Sequence, residues 1–432
     1  MPSKFIWALR RLFDEIWVTV VAYGVLGVFV ALIGPLAGRF VPDGASYKLG
    51  ADAVEPILEI VASSMLTVTT FSLSIMVAAY SAAAVTATPR ALELLLKDRT
   101  TQRVLASFIG AFIFALVGII GLQTTVYGDE GHFILFIATI LVLTLIIVNL
   151  VRWVSHLTTF GRLGDTVERM ENAAVAALET RMKDPYLGAH RAGEVPSEAL
   201  EVCALEVGYV QHVDIARLNG MAVAANLRVW LIAMPGKFVH PAAALVRIAG
   251  LDGPPHLPRE ALREVEAAVH EAFTVAQRRT YDQDPEFGAI TLAEVAQRAL
   301  SPAVNDPGTA IDVIGRLLRI LSGGSARADA DLRFARVWVP PLDRGAMLRQ
   351  SLGPIAREGA ACREVVLHVI MAADALARMA PDAYQGAGRD VARAAHIRAS
   401  AAMTLPEDLE AVTARLARAG WHPAPSATGE GA

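Results

Sequence analysis

Long runs of apolar residues fall in the first part of the chain. Four of them are each about 22–29 residues long, which is enough to cross ~30 Å of hydrocarbon as an α-helix. A charge at the centre of a bilayer is costly, and the middle of each run carries none. The pattern therefore predicts a membrane domain of four transmembrane helices in residues 1–160. The predicted spans are residues 16–38, 56–84, 104–127 and 132–154.

Lysine and arginine residues are unevenly distributed between the ends of these runs. They precede the first run, follow the fourth, and occur four times in residues 85–103. The other two loops carry only Arg39 and Lys48. Because cytoplasmic loops of membrane proteins are enriched in lysine and arginine, we expect a multi-pass protein with both its N-terminus and its C-terminus in the cytoplasm.

The second run differs from the others because hydroxyl residues recur on one helical face. One interpretation is that these hydroxyls line a pore, where they contact water or ions. The other is close helix packing, in which small residues let backbones approach and each hydroxyl bonds a carbonyl of its own helix. The residues in question are Ser63, Thr67, Thr70, Ser74 and Ser81.

Two carboxylates, Glu55 and Glu59, lie at the predicted outer end of the same helix. In an oligomer they would form an acidic mouth to a pore. Alternatively they belong to an ordinary solvated helix start, where the helix dipole favours negative side chains. The sequence leaves both interpretations open.

The remaining residues are too polar to lie in lipid, and they predict a cytoplasmic α+β domain. Residues 161–200 are expected to form a helical stalk and a linker. Residues 201–250 show short strand patterns and a turn typical of a small β barrel-sandwich-like module. Residues 251–422 have mainly helical periodicity, and residues 423–432 have the composition of a disordered tail.

Composition and cysteine content narrow the class of protein further. The chain is 54% hydrophobic with a formal net charge of −4, so no overall positive field favours a nucleic-acid partner. Its two cysteines, Cys203 and Cys362, have no CxxC spacing. Isolated thiols indicate a reducing compartment and no disulfide framework, which agrees with a cytoplasmic domain.

A dense polar cluster lies in the helical part, at Arg279, Asp282, Asp284 and Glu286. The alternating oxygen ligands resemble those of a calcium loop, but the frame and the glycine of an EF-hand loop are missing. We therefore expect an ion-pair network that also includes Arg298, rather than a metal site. Such a network would stabilise the helical part or a subunit interface.

A second polar segment follows at Asn305, Asp306 and Thr309. An aspartate followed by proline predicts a helix start with an N-cap carboxylate. Free N–H groups at such a start can hold an anion, but the carboxylate of Asp306 would repel one. A turn held by the side chains of Asn305 and Asp306 is the favoured interpretation.

Residues 279–314 closely resemble the signature of a family of bacterial membrane proteins, domain of unknown function 2254. The resemblance covers nearly the whole chain and includes residues 63–81, 88–102 and 208–214. It implies a location in the bacterial inner membrane. It implies no particular activity, substrate or cofactor.

The sequence contains no nucleophile elbow, P-loop, zinc-protease helix or dinucleotide-binding glycine motif. We therefore expect no enzyme activity, no catalytic residue, no cofactor and no bound metal. One hypothesis is an oligomeric ion channel or permeation protein, with the second helix lining the path and the cytoplasmic domain assembling or gating it. The other is a membrane-anchored sensor or scaffold. The expected partners are the lipid bilayer, further copies of the chain, and an unidentified ion or small ligand.

Overall fold

The computed structural model describes most of the chain, in five stretches. These are residues 15–37, 51–124, 129–255, 257–323 and 331–422. Parts of three predictions lie outside the described residues: residue 38 of the first span, residues 125–127 of the third span, and the predicted tail at residues 423–432. The described residues divide into two compact units, one that ends at Thr166 and one that begins at Val167.

The first unit consists of helices. Three of its helices contain stretches that are long and apolar enough to cross a membrane: Val54–Thr86, Arg99–Gln123 and Gly131–Leu157. The apolar stretch described in the first helix, Trp17–Ile33, is shorter. Three predicted spans thus have a matching helix, at residues 56–84, 104–127 and 132–154. The first predicted span, at residues 16–38, is not confirmed as a full span. The helices are α1 (Ile16–Ala37), α2 (Ala51–Thr86), the short α3 (Leu92–Leu96), α4 (Arg99–Gln123) and α5 (Asp129–Leu157).

Helix α4 lies at the centre of this unit and packs against α1, α2 and α5. Its contact with α1 depends on glycine. A β-carbon on Gly27 would lie 2.5 Å from the carbonyl oxygen of Gly110, and one on Gly110 would lie 2.9 Å from that of Tyr23. Small residues permit such close backbone approach between membrane helices. Phe108 and Phe114 of α4 are buried in the apolar core of this unit.

The start of α4 is fixed by a buried carboxylate. The side chain of Asp98 accepts a hydrogen bond from the backbone N–H of Thr101, 2.8 Å away, and so caps the helix. The same carboxylate lies 3.0 Å from Nε2 of His156, near the end of α5. The cap therefore also links the ends of two long helices within the first unit.

The second unit contains two β-sheets. In the five-stranded sheet the order is β1-β8-β4-β6-β2, with β8 parallel to both of its neighbours and the other pairs antiparallel. The second sheet is antiparallel, in the order β5-β3-β7. The strands are β1 (Ala189–Arg191), β2 (Leu200–Cys203), β3 (Gly208–Val213), β4 (Leu227–Leu231), β5 (Phe238–Val239), β6 (Ala244–Gly250), β7 (Phe273–Ala276) and β8 (Phe334–Val339).

The predicted barrel-sandwich-like module at residues 201–250 is not confirmed. Strands from outside that range, β1, β7 and β8, complete both sheets, and a helix interrupts it at Ile215–Ala224. The physical reason is that the strands of residues 201–250 are too few to bury a sheet face alone. Aromatic rings join neighbouring strands: Trp338 stacks on His190 at 4.9 Å and on Trp230 at 5.1 Å between centroids.

Helices form the rest of the second unit, and their apolar spacing explains their packing. In α10, for example, the buried positions Ala310, Val313, Ile314, Leu317 and Leu321 recur every three or four residues, which places them on one face. The helices are α6 (Leu163–Lys183), α7 (Ile215–Ala224), α8 (Arg259–Ala272), α9 (Pro285–Ala299), α10 (Pro307–Ser322), α11 (Arg344–Glu358), α12 (Arg363–Met379), α13 (Pro381–Ala402) and α14 (Pro406–Arg418).

Candidate functional site

Five of the hydroxyl residues of α2, which we call the hydroxyl stripe, are all exposed on the surface of the chain. Each side-chain oxygen donates its hydrogen to a carbonyl three or four residues earlier in the same helix, over 2.9–3.0 Å. Such bonds satisfy the hydroxyl hydrogens without any partner from another helix. The stripe consists of Ser63, Thr67, Thr70, Ser74 and Ser81.

The opposite face of α2 packs within the first unit. Leu58, Val61, Met65 and Met76 are buried there, and about 100° of rotation per residue places them across the helix from the stripe. Ser72 is also on this face, and its buried side-chain oxygen has no hydrogen-bond partner among the described residues. Of the packing interpretation drawn from the sequence, the structure shows the hydroxyl bonds within the same helix, and among the described residues no other helix of the chain buries the stripe.

The two carboxylates at the start of α2 have different surroundings. Glu55 accepts a hydrogen bond from the side-chain amide of Gln123, 3.3 Å away, at the end of α4. Glu59 is exposed, and Ser63 hydrogen-bonds to its backbone carbonyl. Because Glu59 precedes Ser63 by four residues, it lies on the same face of α2 as the hydroxyl stripe.

The polar cluster of the second unit contains a buried ion pair. The guanidinium of Arg279 donates two hydrogen bonds to the carboxylate of Asp284, at 2.6 and 2.8 Å. Glu286 lies further away, 3.9 Å from the same guanidinium. Asp282 and Arg298 are exposed. The structure thus brings together Arg279, Asp284 and Glu286, and it leaves Arg298 outside their ion pairs.

Asp284 also caps helix α9. Its carboxylate accepts hydrogen bonds from the backbone N–H groups of Glu286 and Phe287, both at 3.2 Å. Burial raises the pKa of Asp284, while the hydrogen bonds and charge of Arg279 act in the opposite direction. The turn before β5 packs directly on this group, since a β-carbon on Gly236 would lie 2.6 Å from Cγ of Asp284. One carboxylate therefore connects a turn, a helix start and an arginine.

Asn305, Asp306 and Thr309 form a separate helix start. The carboxylate of Asp306 accepts hydrogen bonds from the backbone N–H of Thr309, at 3.0 Å, and from its hydroxyl. The hydroxyl of Thr309 holds the pKa of Asp306 below its usual range. Asn305 adopts a left-handed backbone conformation, with φ of 50°, as asparagine tolerates in turns. The carboxylate occupies the N–H groups that an anion would need.

Comparison with known protein families adds an identification to this geometry. Residues 14–375 match the model of a family described as a predicted membrane protein, DUF2254. The chain belongs to this family. The match confirms the resemblance carried by residues 279–314, and it agrees with the apolar helices of the first unit.

The curated proteins that this chain matches include mycobacterial ones. Uncharacterized proteins of Mycobacterium bovis and Mycobacterium tuberculosis are each 28% identical to this chain over 321 residues. The aligned region covers 70% of this chain and 60% of each relative. The chain therefore spans about 60% of the length of the curated relatives that it matches. No solved structure matches it.

An ion-pair cluster between α6 and α10 was not predicted from the sequence. The carboxylate of Glu171 lies 2.6 Å from Nη1 of Arg316 and 2.7 Å from Nε of Arg319. The two arginines are three residues apart, so one helix face presents both. That spacing is visible in the sequence, but Glu171 lies far away along the chain, and no local pattern marks it as the partner of the two arginines.

Replacement of Glu171 by glutamine is expected to lower the free energy of unfolding by about 1.5–3 kcal/mol at neutral pH, because charged hydrogen bonds are lost. Burial raises the pKa of Glu171, but the hydrogen bonds and charges of Arg319 and Arg316 outweigh it and lower the pKa. A depressed pKa contributes stability above the ordinary carboxyl range and loses it as the pH falls through the folded-state value. The deficit of Glu171→Gln should therefore shrink on acidification.

Thermal unfolding of the purified chain in detergent, at neutral and at acidic pH, measures this deficit. Glu179→Gln is the matched control on the same helix, because Glu179 is exposed and its one ion pair among the described residues is with Lys183, four residues away. Such a surface pair contributes about 0.5 kcal/mol or less. Equal effects of the two substitutions, or a Glu171→Gln deficit that does not change with pH, would contradict the assignment.

Proposed function

We propose that the protein is an oligomeric ion channel or permeation protein of the bacterial inner membrane. In this proposal α2 lines the path, and the second unit is a cytoplasmic domain that assembles or gates it. The observation that carries the proposal is the outward position of the hydroxyl stripe, which faces away from the bundle of its own chain. The charge pattern of the loops supports cytoplasmic termini.

The geometry of the stripe suits a path through a membrane. From Ser63 to Ser81 it extends about 27 Å along the helix axis at 1.5 Å per residue, close to the ~30 Å thickness of the hydrocarbon core. Since each hydroxyl hydrogen is donated to a backbone carbonyl, the oxygen lone pairs face outward as acceptors. Acceptors in a row suit water and cations, and the carboxylate of Glu59 on the same face adds negative charge at one end.

Oligomerisation follows from the outward position of the stripe. A single helix face encloses nothing, so copies of α2 must surround a common axis to form a path. Large apolar side chains stand exposed beside the stripe, among them Leu66, Phe71 and Leu73. In an oligomer these side chains would contact neighbouring copies or lipid on either side of the hydroxyl-lined path.

The oligomeric state of the full chain tests the proposal most cheaply. Native mass spectrometry of the protein in lipid nanodiscs is expected to give a closed assembly of three or more copies, because fewer copies of α2 cannot surround a path. The same state should persist when the protein is diluted. A monodisperse monomer in nanodiscs would contradict the proposal.

A second candidate function is the membrane-anchored sensor or scaffold. It is favoured by one observation, a cavity in the second unit that is lined by positive charge. Such a cavity would allow the cytoplasmic domain to bind a small ligand.

A further inference from the structure

A cavity of about 590 Å³ opens beside helix α13 of the second unit. One wall comes from α13 and the other from the segment that follows α14. A β-carbon added to Gly386 would meet no atom within 4 Å, which shows that the space in front of that residue is open. The volume lies in the range of small-molecule sites. Polar and aromatic lining comes from Gln385, Arg389, Arg393, Trp421 and His422.

The two arginines of the cavity differ in their contacts from several arginines of the neighbouring helices. Other arginines nearby are paired with carboxylates, such as Arg363 with Asp408 at 2.8 Å and Arg415 with Asp374 at 3.0 Å. Among the described residues, neither Arg389 nor Arg393 lies within 4.0 Å of a carboxylate oxygen, and Nε of Arg393 donates a hydrogen bond to the carbonyl oxygen of His422, 3.1 Å away. Within the part of the chain that the structure describes, no carboxylate neutralises these two positive charges.

The side chains of Arg389 and Arg393 reach the same cavity because of their spacing along the helix. Arg389 and Arg393 are four residues apart on α13, so they project from one helix face into the cavity that both line. Guanidinium groups match the oxygens of phosphate with parallel hydrogen bonds. Two of them on adjacent turns suit a group with more than one negative oxygen better than they suit a single carboxylate.

Trp421 supplies an aromatic wall to the same cavity. Its backbone N–H donates to the carbonyl of Leu416 at 3.2 Å, which fixes the segment after α14. Its ring lies against α13, where a β-carbon on Gly388 would be 3.5 Å from Cη2 of the indole. An indole held in this way offers a flat apolar surface to a planar ring.

We propose that this cavity binds a nucleotide, with the phosphate at Arg389 and Arg393 and the base against the indole of Trp421. The volume, the unpaired positive charge and the aromatic wall each match one part of such a ligand. The proposal does not depend on the hydroxyl stripe or on ion flux. A nucleotide bound here gives the cytoplasmic domain a chemical signal to sense.

Isothermal titration calorimetry of the full chain in detergent tests the site with three probes: AMP, inorganic pyrophosphate and adenosine. We expect AMP to bind, pyrophosphate to bind more weakly, and adenosine not to bind measurably. Arg389→Gln and Arg393→Gln should each weaken AMP binding at least about tenfold, which corresponds to ~1.4 kcal/mol. Arg398→Gln, on the same helix but outside the cavity lining, removes the same charge and should leave AMP binding unchanged.

The aromatic wall is tested separately with Trp421→Leu. This substitution should weaken AMP binding and leave pyrophosphate binding unaltered, while Trp421→Phe retains most of the AMP affinity. Unchanged pyrophosphate binding also shows that the variant is folded. The proposal is overturned if AMP does not bind, if AMP binding survives loss of both cavity arginines, or if Arg398→Gln weakens it as much as they do.

Discussion

Replacement of Asp284 by alanine should destabilise the second unit by about 3–5 kcal/mol, because the buried guanidinium of Arg279 loses its hydrogen-bonded carboxylate and keeps the more distant one of Glu286, 3.9 Å away. Only 3% of the Asp284 side chain and 17% of the Arg279 side chain are exposed, so water cannot take over the lost interactions. Helix α9 loses its N-cap in the same variant. The loss of the ion pair and the loss of the N-cap therefore both result from this single substitution.

Asp306→Ala is the matched control for this prediction. Asp306 caps α10 in the same way, and among the described residues it forms no ion pair with an arginine. Loss of the cap alone should cost about 1 kcal/mol. Chemical unfolding of the full chain, followed by near-ultraviolet circular dichroism, compares the two variants. If Asp284→Ala were no more destabilising than Asp306→Ala, the ion pair would not have the structural importance assigned to it.

Combined replacement of Thr67, Thr70 and Ser74 by leucine should reduce ion flux in proteoliposomes at least about tenfold, because bulky apolar side chains would fill and dehydrate the proposed path. The matched control is Thr144→Leu. Thr144 is an exposed threonine on α5 that also bonds its own backbone, at 2.8 Å from the carbonyl oxygen of Ile140. This control should retain flux.

Both flux variants should fold, since the hydroxyls that they remove bond only their own helices. Incorporation into liposomes is checked by quantifying the protein after reconstitution. Flux that survives the triple substitution would remove α2 from the path, and equal loss in Thr144→Leu would show a general effect of leucine on the bundle.

Local sequence signals predicted local structure well. The aspartate–proline pair at Asp306 begins a helix with the carboxylate as N-cap, because the capping preference acts within one helical turn. The apolar runs likewise located the long helices of the first unit. The face on which the hydroxyl stripe lies also followed from spacing alone, because helical periodicity fixes which residues share a side.

Features that depend on distant segments were not predictable in this way. Strand β1 pairs with β8, about 145 residues later along the chain, and no local pattern marks that pairing. The partner of Arg316, Glu171, was equally hidden. Spacing also could not say whether the hydroxyl stripe faced its own bundle, because that depends on which face of α2 packs against α4.

Thiol accessibility in the membrane tests most directly whether the hydroxyl stripe lines a water-filled path. In a background of Cys203→Ser and Cys362→Ser, the variant Thr70→Cys is treated with a charged, membrane-impermeant methanethiosulfonate. The thiolate is the reactive form and requires water. Two controls are Ser72→Cys, on the buried face of α2, and Ile137→Cys, at an exposed apolar position on α5.

We expect Thr70→Cys to react at least about tenfold faster than either control, since of these three thiols only that of Thr70→Cys would meet water and ionise. Thr67→Cys and Ser74→Cys should share this reactivity, which would then recur at helical spacing. If Thr70→Cys reacts no faster than Ile137→Cys, the stripe faces lipid or protein, and α2 does not line a path.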